Sequence, residues 1–170
     1  MRILLLVLSL SCFLPAQAQP RQSLVPGGIA IINLEPGDDF GYRFQDKPVL
    51  VTKIEGKSRA LVGLPLNLEP GEHFIERRNV NQVLKKFFKV KQKQYSTQHI
   101  TITDDRKVNP YASDMDRILA EKARQQKAVN HYSMVDVDVN FLVPVEGIRT
   151  GSFGRRRVFN GQNRRPHSGM

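Results

Sequence analysis

The side chains best suited to metal or acid–base chemistry here are four histidines, His73, His99, His131 and His167, and two acid pairs, Asp38-Asp39 and Asp136-x-Asp138. Imidazole can ligate a metal or move a proton near neutral pH, and neighbouring carboxylates can share a proton or hold a cation. Spacing then weakens most of these candidates. His73 follows a Pro-Gly turn, His99 falls in an expected strand, and His131 closes an expected helix. None has a second His or a Cys at metal-ligand spacing, so these three read as surface or satisfied histidines. Asp38-Asp39 sits in a turn and Asp136-x-Asp138 alternates with valines, so both pairs read as solvated faces. The sequence has no Ser-centred nucleophile elbow and no glycine loop of the kind that cradles phosphate.

The tail from Ser152 to Met170 differs in character. Ser152-Phe153-Gly154-Arg155-Arg156-Arg157 leads through Asn160-Gly161-Gln162 to Arg165-Pro166-His167-Ser168-Gly169-Met170. By composition this is a basic, glycine-punctuated segment that could stay disordered. Its order of motifs, however, resembles the opening of the lysostaphin/LytM-type zinc endopeptidase domain. Asn163 stands where relatives often carry proline, which affects turn rigidity more than chemistry. Upstream, Val25-Pro26-Gly27-Gly28, Leu61 to Pro65 and Pro70-Gly71 resemble the β-rich N-terminal domain of exported members. Tyr95, Gln98 to Ile102 and Val108-Asn109-Pro110 resemble the connector that follows it.

The resemblance implies that His167 is the first ligand of a zinc ion. A following Asp, expected one residue beyond Met170, and the second His of a later His-x-His pair would complete the set. Three protein ligands leave one position open for water, whose pKa the metal brings to about 7. The implied substrate is peptidoglycan, cleaved at its peptide bonds. Only His167 of those ligands is present in these residues. The chain is therefore expected to be the N-terminal portion of a longer zinc metalloendopeptidase, and to be inactive by itself. The alternative is a non-catalytic exported β module that binds the cell wall or a protein partner. Coding sequence beyond the codon for Met170 would separate the two.

The N-terminus gives the address. Arg2 is followed by the apolar run Ile3 to Leu14, then Pro15, then Ala16-Gln17-Ala18, a small-x-small site. Residues 1–18 read as a secretory signal peptide, with the protein exported to the periplasm or cell envelope of a bacterium. The run is too short to span about 30 Å of hydrocarbon, and no later segment is long and apolar enough, so no stable transmembrane segment is expected after cleavage. Cys12 is the single cysteine and would leave with the leader, which rules out a disulfide scaffold and thiolate chemistry in the mature protein. Lys and Arg number 26 against 16 Asp and Glu, a formal charge of +10. In an exported protein that charge favours wall polymers and lipid head groups as polyanions; nucleic acid is not an expected partner.

The elements that must position His167 are mainly strands, in a mainly β fold with one long connecting helix. A small antiparallel β domain is expected over residues 19–104 and a connector over 105–134. An incomplete β start of a catalytic domain should follow over 135–170, its strands poorly ordered for want of partners. Ile29 to Ile32, Pro48 to Ile54 and Ala60 to Pro65 are β-rich runs bounded by turns. From Leu84 to Lys93 the pattern alternates, with Phe88 and Val90 on one face and Lys89, Lys91 and Lys93 on the other. Asn33-Leu34-Glu35-Pro36-Gly37 recurs as Asn67-Leu68-Glu69-Pro70-Gly71, which predicts two similar type II hairpin turns. Ser113 and Asp116 suggest a capping box opening a helix over about 113–131. Its stripe of Met115, Ile118, Leu119 and Ala123 suggests packing on a neighbouring domain. Val135, Val137, Val139 and Phe141 predict a further strand.

Overall fold

The computed structural model describes residues 17–38, 40–80, 82–133, 135, 137–142, 147–148 and 151–169. The expected leader through Ala16, with Cys12, lies outside them, as do Asp39, Asp136 and Met170. The strands are β1 (Gln17–Ala18), β2 (Ile29–Asn33), β3 (Arg43–Phe44), β4 (Lys47–Pro48), β5 (Leu50–Ile54), β6 (Lys57–Gly63), β7 (Gly71–Arg78), β8 (Val83–Val90) and β9 (Thr97–Ile100). After a 3-10 turn and the helix α1 (Ala112–Val129) come β10 (Phe141–Leu142), β11 (Arg156–Phe159) and β12 (Gln162–Arg164). The protein is thus mainly β with one long helix. Among the described residues no helix is long and apolar enough to cross a membrane.

Two antiparallel sheets, β2-β6-β5 and β4-β3-β7-β8, share one apolar core. The period-two pattern places Ala30, Ala60 and Val62 of the first sheet and Phe44, Ile75 and Val90 of the second into it. Hairpin chemistry fixes the registers. Glu55-Gly56 and Gln45-Asp46 hold both central residues at positive φ, the conformation that matches strand twist in a two-residue loop. The alternation in β8 holds as read: Val90 is buried, Phe88 half-buried and Lys89 exposed.

The repeated Asn-Leu-Glu-Pro-Gly segments are not hairpin turns. The first leads from β2 in one sheet to β3 in the other, and the second leads from β6 to β7, again from the first sheet to the second. Each buries its leucine, Leu34 or Leu68, in the shared core. The turns differ too. Asp38 donates its amide to the Glu35 carbonyl at 3.0 Å, with Gly37 at φ 86°, as a type II turn requires. In the second copy Gly71 takes φ 145° and opens β7 directly. The echo therefore marks a crossing between sheets, anchored by a leucine.

The helix begins one residue before the expected start and ends at Val129 instead of His131. Tyr111, extended after Pro110, is its N-cap, and Ser113 makes no cap bond. Arg106 organises the first turn instead, donating to both Asp114 oxygens at 2.9 and 2.7 Å. No residue of α1 is buried; Met115 and Leu119 are 39% and 54% exposed. The expected packing of its apolar stripe on a neighbouring domain is not seen among the described residues. Among the described residues of the predicted strand over 135–141, only Phe141 joins one, in β10, which pairs with β1. Val139 is buried, whereas Val135 and Phe141 are exposed.

Candidate metal centre

His167 is placed by the third sheet, β12-β11-β9. Asn160-Gly161, both at positive φ, closes the β11–β12 hairpin. The Asn160 side chain then bonds the Ile102 amide at 2.8 Å and the Ile102 carbonyl at 2.9 Å, tying the turn to the chain after β9. β11 runs parallel to β9 from Arg156↔Thr97 to Phe159↔Ile100. The expectation that strands of this segment lack partners is overturned. β9, the Thr-Gln-His-Ile stretch, supplies the edge that the basic tail needs.

Beyond β12 the main chain of His167 is held at both ends. Its amide donates to the Arg155 carbonyl at 2.9 Å, and its carbonyl accepts from the Gly154 amide at 2.8 Å. The imidazole lies over Gly151, where an added Cβ would stand 3.3 Å from Cε1 and 3.4 Å from Nε2. Its Nδ1 is buried and has no hydrogen-bond partner among the described residues. A nitrogen in that condition has lost its water without a replacement, so it is suited to a ligand.

Tyr95 fastens this segment to the first two sheets. Its hydroxyl donates to the Pro26 carbonyl at 2.7 Å. Its ring occupies the space beside Gly154, which sits buried at φ 80°, so that any Cβ there would fall within the ring. On the other side Gly27 faces the Tyr95 hydroxyl, and a Cβ at Gly27 would approach Phe153 at 2.9 Å. Tyr95, Phe153 and the two glycines thus form one tight junction.

The remaining candidates are dispersed. His73 Nε2 bonds the Glu69 carbonyl at 2.8 Å, and its ring packs on Phe44 and Phe88. His99 and His131 are exposed. Asp138 accepts bonds from Asn140. Asp38 departs from the solvated reading. Its carboxylate, 12% exposed, pairs with Arg77 at 2.5 Å and accepts from the Tyr42 hydroxyl at 2.6 Å. Arg77 in turn lies over the rings of Phe40 and Tyr42. Burial, followed by the bond to Asp38, pushes the Tyr42 phenol up to about 12. Sequence spacing gave no signal of this cluster, because Arg77 reaches Asp38 only through the fold.

Among the described residues no three His, Cys, Asp or Glu side chains converge. The fit to a zinc ion is therefore partial: Nδ1 of His167 suits one ligand, and among the described residues it belongs to no group of three such donors. A catalytic zinc does not fit the residues present.

Comparison with known proteins bears on the two-sheet body. Residues 22–93 match the peptidase family M23 N-terminal domain. This segment is similar to that domain. The match runs from Gln22, ahead of β2, to Lys93, past the end of β8, and so takes in both sheets and both leucine-anchored crossings. A solved structure of a candidate M23 peptidase from Pseudomonas aeruginosa is 30% identical, with a TM-score of 0.49 over 66% of this chain. The chain spans 42% of the length of that protein. No curated protein matches the chain. The match relates residues 22–93 to a domain that M23 peptidases carry.

Proposed function

We propose that the chain is the N-terminal portion of an exported zinc metalloendopeptidase that hydrolyses peptide bonds in peptidoglycan. In this reading residues 1–18 direct export to the periplasm or cell envelope and residues 19–104 form the N-terminal domain. The segment from 135 onward begins the catalytic domain. The observation that supports it most is the M23 N-terminal domain at 22–93, followed in the same chain by a Pro-His-x-Gly segment whose imidazole keeps a buried, unpartnered nitrogen. His167 would serve as one zinc ligand, and the chemistry such an ion would supply is Lewis-acid and water-activating.

The 170 residues hold one such ligand, and a single imidazole competes poorly with water and buffer for a metal that takes four donors. The chain alone should therefore leave purified peptidoglycan intact. The test is release of soluble muropeptides, followed by chromatography, with zinc supplied. Hydrolysis by this polypeptide, abolished by chelation, would overturn the assignment of His167 as one member of a larger set.

A further inference from the structure

We propose that the outer face of the β7–β8 hairpin, centred on Phe74 and Phe87, binds a β-linked chain of N-acetylated amino sugars, the glycan half of peptidoglycan. The proposal rests on the cell-wall reading above and adds a ligand site to it.

Register puts the aromatics there. In an antiparallel pair, residues directly opposite share a face. Phe74 stands opposite Phe87, and the same face carries the pairs Glu72↔Lys89 and Glu76↔Lys85. The other face carries Ile75, which is fully buried, and Phe88, which packs on the core. Two phenylalanines are thus held on the side away from the core, 36% and 58% exposed. Their ring centres are 5.5 Å apart at 57°, so they form a shallow angled platform. A contiguous exposed aromatic pair of this kind, rimmed by charged residues, is a candidate binding surface.

Beside the platform lies a groove of about 360 Å³, walled by the β3–β4 turn at Gln45 and Asp46 and lined by Arg43, Arg78 and Lys85. Its formal charges balance, with Arg43, Arg78 and Lys85 against Asp46, Glu72 and Glu76. Arg78 pairs with Glu76 at 2.7 Å, Arg43 donates to the Asp46 carbonyl, and the Lys85 ammonium lies 4.1 Å from the centre of the Phe74 ring. Although the chain carries +10 overall, this face offers little net charge to a polyanion. It offers fixed donors and acceptors next to exposed aromatic rings. Vicinal hydroxyls suit paired donors and acceptors, the C–H face of a pyranose suits an aromatic ring, and an acetamido group needs the donor and acceptor that a Gln side chain supplies. A neutral amino-sugar chain satisfies all three; phosphate-rich ligands satisfy none.

The test uses the 170-residue chain and a soluble β-1,4 tetramer of N-acetylglucosamine, followed by NMR titration, with retention on purified sacculi measured in parallel. The tetramer should shift the amides of Phe74, Lys85 and Phe87 saturably. Phe87→Ala and Phe74→Ala should each weaken binding about tenfold or more, with the thermal unfolding midpoint unchanged. Phe40→Ala, at an exposed ring on a different loop, should bind as the wild type does. No saturable shift, shifts that map elsewhere, or an unaffected Phe87→Ala variant would overturn the site. So would an acidic stem peptide that shifts these amides when the tetramer does not. Retention on sacculi without tetramer binding sinks this site and leaves the cell-wall reading standing. Tetramer binding without retention on sacculi supports the site and counts against the cell-wall reading.

Discussion

Tyr42 shows how a single side chain records its surroundings. Its ring is in the core while its hydroxyl reaches Asp38, which Arg77 holds in place. A phenol raised from an unfolded value near 10 to about 12 keeps its proton more tightly in the folded protein. The stability it contributes is fully present below about pH 10 and is lost as pH rises toward about 12. In an alkaline titration followed by tyrosinate absorbance, one of the four tyrosines should ionise late, close to unfolding. Tyr42→Phe should remove that component. A late component that survives in Tyr42→Phe would place it on another residue. The half-buried ion pair beneath it was not legible in the sequence. Asp38-Asp39 followed by Phe40 and Gly41 has the composition of a wet turn, and only the crossing into the second sheet brings Arg77 over it.

At the scale of elements, the junction around Tyr95 decides whether the His167 segment stays docked. Gly154 and Gly161 share nearly the same backbone, φ 80° and 77°, but differ in surroundings: Gly154 abuts Tyr95 and Gly161 has open space. Gly161→Ala should cost roughly 1 kcal/mol, the penalty for a side chain in the left-handed region. Gly154→Ala should add an overpacking cost of about 1–3 kcal/mol to that, read as a lower denaturation midpoint. Equal effects of the two substitutions would mean that Tyr95 yields freely. Much of the element-level fold could be read beforehand. Apolar runs bounded by turns gave β2, β5 and β6, and alternation gave β8, since period two reports directly on a half-buried strand. What the Pro-Gly segments joined could not be read, because a turn signal specifies a change of direction and not which sheet the next strand enters. The helix start was misread for a similar reason. Ser113 has a capping side chain, but Pro110 and the Arg106–Asp114 pair set the first turn one residue earlier. The pairing of the basic tail with β9 depends on residues far apart in sequence, so its composition suggested an unpartnered segment.

For the whole molecule, stability should not depend on metal. A ligand stabilises in proportion to RT ln(1 + [L]/Kd), and one imidazole gives a Kd too weak for that term to matter. Calorimetric unfolding with zinc and with chelator should therefore give the same Tm. A rise of several degrees with zinc, at about 2–4 °C per kcal/mol for a chain of this size, would reveal donors beyond His167. His167 was legible in the sequence as a motif, while the junction that orients it was not, since Gly27, Tyr95 and Gly154 come from three distant stretches. The parallel β9–β11 pairing carries a consequence in time. The hairpins of the two-sheet body close over short loops and can form as soon as they emerge during synthesis. β9 must wait until Arg156 to Phe159 have been made, with α1 and the stretch after it looped out between them. Long loop closure is slow, so folding should proceed in two stages, body first and tail later. Through that interval the Ser96 carbonyl that later receives the Arg156 amide and the edge of β9 stay open. This is the period when a nascent chain is most prone to pair with a neighbouring copy of itself.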